Sequence, residues 1–233
     1  MPIIGVILFL ILISAIPAGA VFLWFRMSRY PFSPVIFLVS LFVGATSLFV
    51  ALFLQSFLAE TGILPPLTDR RGLFAEIFVR IAFTEELSRL LLLVPMVVVF
   101  RRFNRGMVFP EGISADTMGK ASGLVAGLGF GILESAVYGA SYPVNALLRA
   151  FTATPLHAAC GSRVGSSIML FRENTALAVF QFLSAVAIHG IYNLMVVAPG
   201  RLSPWIAILV AASALASSVQ AISRGMRMEN NER

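Results

Sequence analysis

Six side chains in this sequence have types and spacings suited to hydrolytic chemistry, and all six fall inside strongly apolar stretches. Glu85 and Glu86 are adjacent in Ala82-Phe83-Thr84-Glu85-Glu86-Leu87-Ser88-Arg89. Glu134 follows Phe130 by one helical turn in Phe130-Gly131-Ile132-Leu133-Glu134. His157 ends the run Arg149-Ala150-Phe151-Thr152-Ala153-Thr154-Pro155-Leu156-His157, and His189 and Asn193 lie one turn apart in His189-Gly190-Ile191-Tyr192-Asn193. The chain has only two histidines, and both are in this set. A charged group at mid-bilayer costs roughly 2.5–3.5 kcal/mol on insertion scales, so such residues face a bundle interior and tend to carry function.

Peptide hydrolysis needs an activated water, a donor for the oxyanion and an acid for the leaving amine. A membrane glutamate suits the acid or base role, and a His or Asn donor suits the oxyanion. Alternatively, His157 and His189 can hold Zn²⁺ with Glu134 as third ligand, leaving an open position for water and Glu85 or Glu86 as base. The sequence has no H-E-x-x-H motif, so the metal version lacks the standard zincin signature. The residues admit both the metal and the metal-free version. Two other function classes fit buried acids and histidines: a proton- or cation-coupled transporter, and a non-catalytic membrane scaffold or binding protein.

The surrounding residues read as partners or packing. Glu85 and Arg89 are one turn apart and are expected to pair, whereas Glu86 points about 100° away and is left without that partner. Arg80 and Arg149 are further charge partners inside the spans. Arg149, Ala153 and His157 share one helix face, and Pro155 removes a backbone donor next to His157. Gly123, Gly127 and Gly131, spaced by four, predict close helix packing. The single cysteine, Cys160, is expected to be a buried thiol.

The elements that must position these residues are membrane helices. The chain of 233 residues is 58% hydrophobic and 12% charged, with mean hydropathy +0.91. Such a composition predicts an all-α, polytopic bundle without a soluble domain. About seven spans are expected, at 3–25, 35–58, 74–100, 119–138, 145–170, 175–197 and 203–222. Turn signals separate them at Tyr30–Pro34, Leu64–Pro66, Phe109–Gly112, Ser141–Pro143, Arg172–Asn174 and Pro199–Arg201. The first span lacks a basic leader and is read as a retained helix, not a signal peptide. The whole chain reads as a single membrane-embedded domain, residues 1–233, with a core at about 74–197.

The net charge of +6 fits the positive-inside bias, and no nucleic-acid partner is expected. One side of the predicted topology collects Arg26, Arg29, Arg101, Arg102, Arg105, Lys120, Arg172, Arg224, Arg227 and Arg233; the other collects Arg70, Arg71 and Arg201. The N-terminus is therefore expected outside and the C-terminus in the cytoplasm. Counted from the outer end of each span at about 1.5 Å per residue, Glu85 and His157 lie roughly 16–18 Å deep, His189 about 13 Å, and Asn193 and Glu134 about 7–8 Å.

Taken in order, Glu85-Glu86-x-x-Arg89, Phe130-x-x-x-Glu134, a lone helix His157 and His189-x-x-x-Asn193 resemble the PrsW family of intramembrane proteases. They are also similar to the wider superfamily of type II CAAX prenyl endopeptidases and their bacterial ABI-type relatives. The resemblance runs from about Phe83 to Asn193. It implies a plasma-membrane, prokaryotic endopeptidase that cuts a single-span membrane protein, such as an anti-sigma factor, near its extracytoplasmic side. It also implies that Glu85 and Glu86 form the paired-glutamate motif. Glu134 takes the place where the prenyl-endopeptidase branch has His, and His157, His189 and Asn193 complete the set. Arg89 stands where Lys is expected in PrsW sequences. The family is commonly labelled a metalloprotease, while its prenyl-endopeptidase relatives look like metal-free glutamate proteases.

Overall fold

The structure, a computed structural model, describes residues 3–28, 32–103, 114–139 and 148–231. The turns expected at Phe109–Gly112 and Ser141–Pro143, the residues Tyr30 and Pro31, the start of the fifth expected span (145–147), Arg29, Arg105 and Arg233 lie outside them, as do the side chains of Arg101 and Arg102. Among the described residues every regular element is helical.

The first expected span is two helices, α1 (Ile3–Ser14) and α2 (Ile16–Met27). Pro17 opens α2, where its missing N–H belongs to the first turn and breaks no helical bond. Helix α3 (Pro34–Thr61) starts on the Ser33 hydroxyl, which accepts from the Val35 N–H at 3.2 Å, and ends on Gly62 at φ 64°. That left-handed turn is open to glycine without a Cβ penalty. Helix α4 (Arg70–Ala75) is capped by the Asp69 carboxylate, which accepts from Gly72 at 2.8 Å.

The chain then runs without a break through a π-helical stretch, Glu76–Phe83, into α5 (Thr84–Phe103). The Thr84 hydroxyl donates to the carbonyls of Arg80, at 2.5 Å, and Ile81, at 3.1 Å, so the irregular ladder is satisfied where it returns to α geometry. π segments of this kind concentrate at functional sites, and this one ends directly before the paired glutamates. The remaining helices are α6 (Ala115–Gly139), α7 (Ala153–Leu170), α8 (Thr175–Val197), started by an Asn174 cap on Leu177, and α9 (Ser203–Asn231).

Helix α6 is the axis of the bundle. It is buried along nearly its whole length and packs against α1, α3, α7 and α9, while α7 in turn packs on α5, α8 and α9. Small residues make this possible. A Cβ on Gly127 would collide with the carbonyl oxygen of His157, and one on Gly123 with that of Gly161. The backbones of α6 and α7 are therefore in contact, as the four-residue glycine spacing predicts. Two apolar clusters flank this seam, one around Phe25, Ile36, Phe37, Leu124 and Leu128, the other around Leu93, Met96, Leu156, Cys160 and Val164. The outer faces are apolar too: Phe42 is 72% exposed and Phe53 69%. A surface of this kind belongs against lipid.

Five helical stretches are long and apolar enough to cross a membrane: Leu8–Met27, Pro34–Thr61, Ala115–Gly139, Thr175–Val197 and Ser203–Arg227. The chain is an all-α membrane helix bundle, and a multi-pass one. The third and fifth expected spans are not among the five. They correspond to α5 and α7, which carry Glu85, Glu86, Arg89, His157 and Arg163 and a run of small polar residues, and this polarity lowers their hydropathy. The fifth is also broken at Thr152, so Pro155 lies in the first turn of α7 and not in mid-helix. Its missing N–H removes a bond to the Phe151 carbonyl and frees nothing beside His157.

Candidate functional site

Five of the six expected residues converge at the junction of α5, α6, α7 and α8, and all five are buried. Two units of the same kind face each other there. In the first, Glu86 is held by Arg89 Nη1 at 2.5 Å on one oxygen and accepts from His189 Nδ1 at 2.8 Å on the other. In the second, Glu134 pairs with Arg149 at 2.6 Å and with His157 Nε2 at 2.8 Å. The two imidazoles meet edge to face, with ring centroids 4.9 Å apart and planes at 88°.

Arg89 joins the two units. Its Nη2 lies 3.0 Å from His157 Nδ1. A guanidinium only donates, so His157 Nδ1 accepts, and the ring's proton is on Nε2, where it is donated to Glu134. Phe130 forms the floor: the Arg89 guanidinium sits 4.5 Å above its centroid, and the His157 ring is 4.8 Å away. This accounts for the aromatic residue one turn before Glu134. It supplies a cation–π face beneath a fully buried arginine.

The expected pairing of the two glutamates is reversed. Glu86, expected to lack the arginine, has the close ion pair, while Glu85 is 3.9 Å from Arg89. Spacings of three and four both bring helix side chains together, and here the position of the histidines on α7 and α8 decides between them. Glu85 is left with one weak bond, from the Gln55 amide of α3 at 3.3 Å. Its Oε2 is buried without a hydrogen-bond partner, 3.6 Å from His189 Nε2. With Nδ1–H committed to Glu86, the neutral His189 ring turns its Nε2 lone pair toward that oxygen.

An unpaired carboxylate oxygen beside an imidazole lone pair is the arrangement that a cation or a water completes. Glu85, His157 and His189 each offer a ligand atom, and these atoms lie within 4.8 Å of one another. A Glu/His/His set suits Zn²⁺, and Glu86 behind His189 is the outer carboxylate that commonly orients a metal-bound imidazole. The residues fit a cation in donor type and number, and His157 would exchange one of its two present bonds to join it. Glu134, expected as third ligand, is instead bound to Arg149 and His157 and is not in the three-residue group.

Other expectations fare differently. Asn193 is half-buried and makes no side-chain hydrogen bond among the described residues; its neighbour Tyr192 bonds the Thr152 hydroxyl at 2.9 Å instead. Arg80 pairs with Glu76, outside the cluster. The counted depths separate Glu134 from His157 by roughly 9 Å, yet the two side chains touch, because the break at Thr152 resets where α7 begins. Gln55 was not anticipated, although a lone amide in the apolar run of α3 is a visible signal. Arg89 and Arg149, read only as charge partners, each contact a site carboxylate and set its geometry.

No curated protein and no solved structure matches the chain. The model of the PrsW family of intramembrane metalloproteases matches residues 33–218. That stretch takes in α3 through most of α9, and so the whole cluster and every helix that builds it. On this match, with the ordered glutamates and histidines joined in one buried network, the chain belongs to the PrsW family and is an intramembrane peptidase.

Proposed function

We propose that the protein cleaves single-span membrane proteins near their extracytoplasmic side, in the manner of a first cut in an anti-sigma factor, and that Glu85 is the centre of the reaction. The observation that carries this is the unpartnered Glu85 Oε2 facing His189 Nε2 at 3.6 Å in a buried site. Family membership places this reading above the transporter and the binding protein. In the proposed topology α5 and α7 cross the bilayer with the other five stretches, the N-terminus is outside, the C-terminus is cytoplasmic, and the membrane is a prokaryotic plasma membrane.

Glu85, His157 and His189 would hold a zinc ion, which when bound polarises a carbonyl and makes water a stronger acid. The chain's own residues do the rest. Glu86, pinned by Arg89, holds His189 in one tautomer with Nε2 toward the centre. Phe130 and Arg89 fix the His157 ring from below and from Nδ1. Glu134 accepts the His157 Nε2 proton, and as the less enclosed carboxylate it is the group placed to pass a proton to the leaving amine. Asn193 stays in the proposed set as a substrate-facing donor one turn from His189.

A second, metal-free reading has its own support: both nitrogens of His157 are already engaged. In that version a water sits between Glu85 Oε2 and His189 Nε2, and Glu85 takes its proton as general base.

The test is cleavage of a reconstituted single-span substrate by wild type, Glu85→Gln and His189→Ala. Loss of cleavage in both variants, with folding retained, is expected. Equal cleavage by all three proteins overturns the proposal. Metal content of the same active sample separates the two versions: stoichiometric zinc supports the first, and full activity with only trace metal supports the second.

A further inference from the structure

Arg163 is an arginine inside a membrane helix whose partners are all uncharged. Its Nη1 donates to the Ala159 carbonyl and the Ser218 hydroxyl, both at 3.0 Å, and its Nη2 to the Ser217 hydroxyl at 2.8 Å. No carboxylate lies within ion-pair distance of it among the described residues, in contrast to Arg80, Arg89 and Arg149. The Nε–H and one Nη2 hydrogen are left over, and these two point along the same edge of a guanidinium, the fork that matches two oxygens of a tetrahedral anion.

This arginine lines a pocket of about 220 Å³ between α6, α7, α8 and α9, together with Lys120, Ser162, Gln181, Ser217 and Ser218. Lys120 is bound to Asp116, so the walls carry a net positive charge from Arg163 and a second ammonium with donors to spare. The pocket is separate from the protease cluster. On α7, Arg163 lies about 9 Å beyond His157 along the axis; on α6, Lys120 lies about 21 Å before Glu134; and on α8, Gln181 lies about 12 Å before His189. On all three helices it is nearer the same end of the bundle, the end that carries Arg172, Arg224 and Arg227. Basic clefts between membrane helices at a basic end are where phosphorylated headgroups insert.

We propose that this pocket binds a phosphate group, with Arg163 as the bidentate contact, Lys120 as the second cation and the hydroxyls of Ser162 and Ser217 as neutral donors. The ligand chemistry is a phosphate mono- or diester; the bilayer supplies one source, as an anionic lipid headgroup, and the aqueous phase another, as inorganic phosphate.

The experiment uses the full chain in two arms. In the first, protein in nanodiscs of mixed phosphatidylglycerol and phosphatidylcholine is released into the gas phase and its retained lipid is identified by native mass spectrometry. In the second, detergent-purified, delipidated protein is titrated with inorganic phosphate while its unfolding midpoint is followed. Wild type, Arg163→Gln and Lys120→Gln are compared. Preferential phosphatidylglycerol retention by wild type, reduced about tenfold in each variant, supports the proposal with lipid as source. A phosphate-dependent rise in midpoint, lost in the variants, supports it with a soluble source. Arg163 also ties α7 to α9, so if Arg163→Gln does not fold, Lys120→Gln, which leaves those bonds in place, decides. Retention and midpoints that are the same in wild type and folded variants, or no response in either arm, overturn the proposal.

Discussion

The two Glu–Arg–His units of the site are alike in composition and differ in enclosure. Glu86 and Arg89 are both fully buried, and with His189 they form a closed unit between α5 and α8. The Arg149 side chain is 23% exposed, and it also stacks over Tyr138 with its guanidinium 4.4 Å from the ring centroid. The closed unit therefore has no water to replace its bonds, and each bond fixes orientation. The second unit, at the rim, can exchange protein contacts for solvent at small cost. A hydrolase needs both kinds: an inner frame that does not move, and an outer carboxylate that can take and return a proton.

Substitutions test this contrast directly. The largest effect is expected for Arg89→Met, which strips the cation from Glu86, the Nδ1 donor from His157 and the charge above Phe130. Removing one partner of a buried pair destabilises by about 3–5 kcal/mol, and thermal unfolding in detergent should show it, with His157 and His189 both losing their orientation. Little change in the midpoint would mean that the inner frame is not held by Arg89. Next is Glu85→Gln. Glu85 has only the Gln55 bond to lose, so stability should barely change while cleavage falls by at least about 100-fold; cleavage and midpoint falling together would mark Glu85 as structural.

Gly127→Ala is expected to destabilise by about 1–3 kcal/mol through overpacking. Because the new methyl meets the His157 carbonyl, cleavage should fall further than the matching change at Gly5, where nothing is close. Side-by-side activity assays of the two variants check it. The smallest effect belongs to Arg149→Gln at the rim, with a stability loss of about 1 kcal/mol or less because the pair is partly solvated. A loss as large as that of Arg89→Met would erase the distinction between inner and outer units.

What the sequence reveals and what it hides follow from the range of the forces involved. Helices α3, α6 and α8 are visible as apolar runs, and the seam of α6 against α7 is visible in Gly123 and Gly127, because hydropathy and residue size act locally. The six polar residues stand out for the same reason, and five of them do converge. The partner of Arg89 does not follow from its own helix, since Glu85 and Glu86 are both within reach and the choice is made by His157 and His189, which are far away in sequence. The break at Thr152 is hidden because Pro155 fits a helix interior and a helix start equally well on paper. The π-helical stretch leaves no mark in composition, being set by how α4 and α5 must meet α3 and α8.

That π-helical stretch, Glu76–Phe83, acts as a register adjuster. Its wide turns hold surplus chain that an α-helix would not accommodate, and α5 inherits its rotational phase from them. Deleting one residue there would let the ladder close in the ordinary way and still span the same distance, but it would turn everything after it by about 100° around the axis. Glu85 would then leave the centre although no residue of the site had been changed. The length of this segment is as much a part of the active site as the glutamates it delivers.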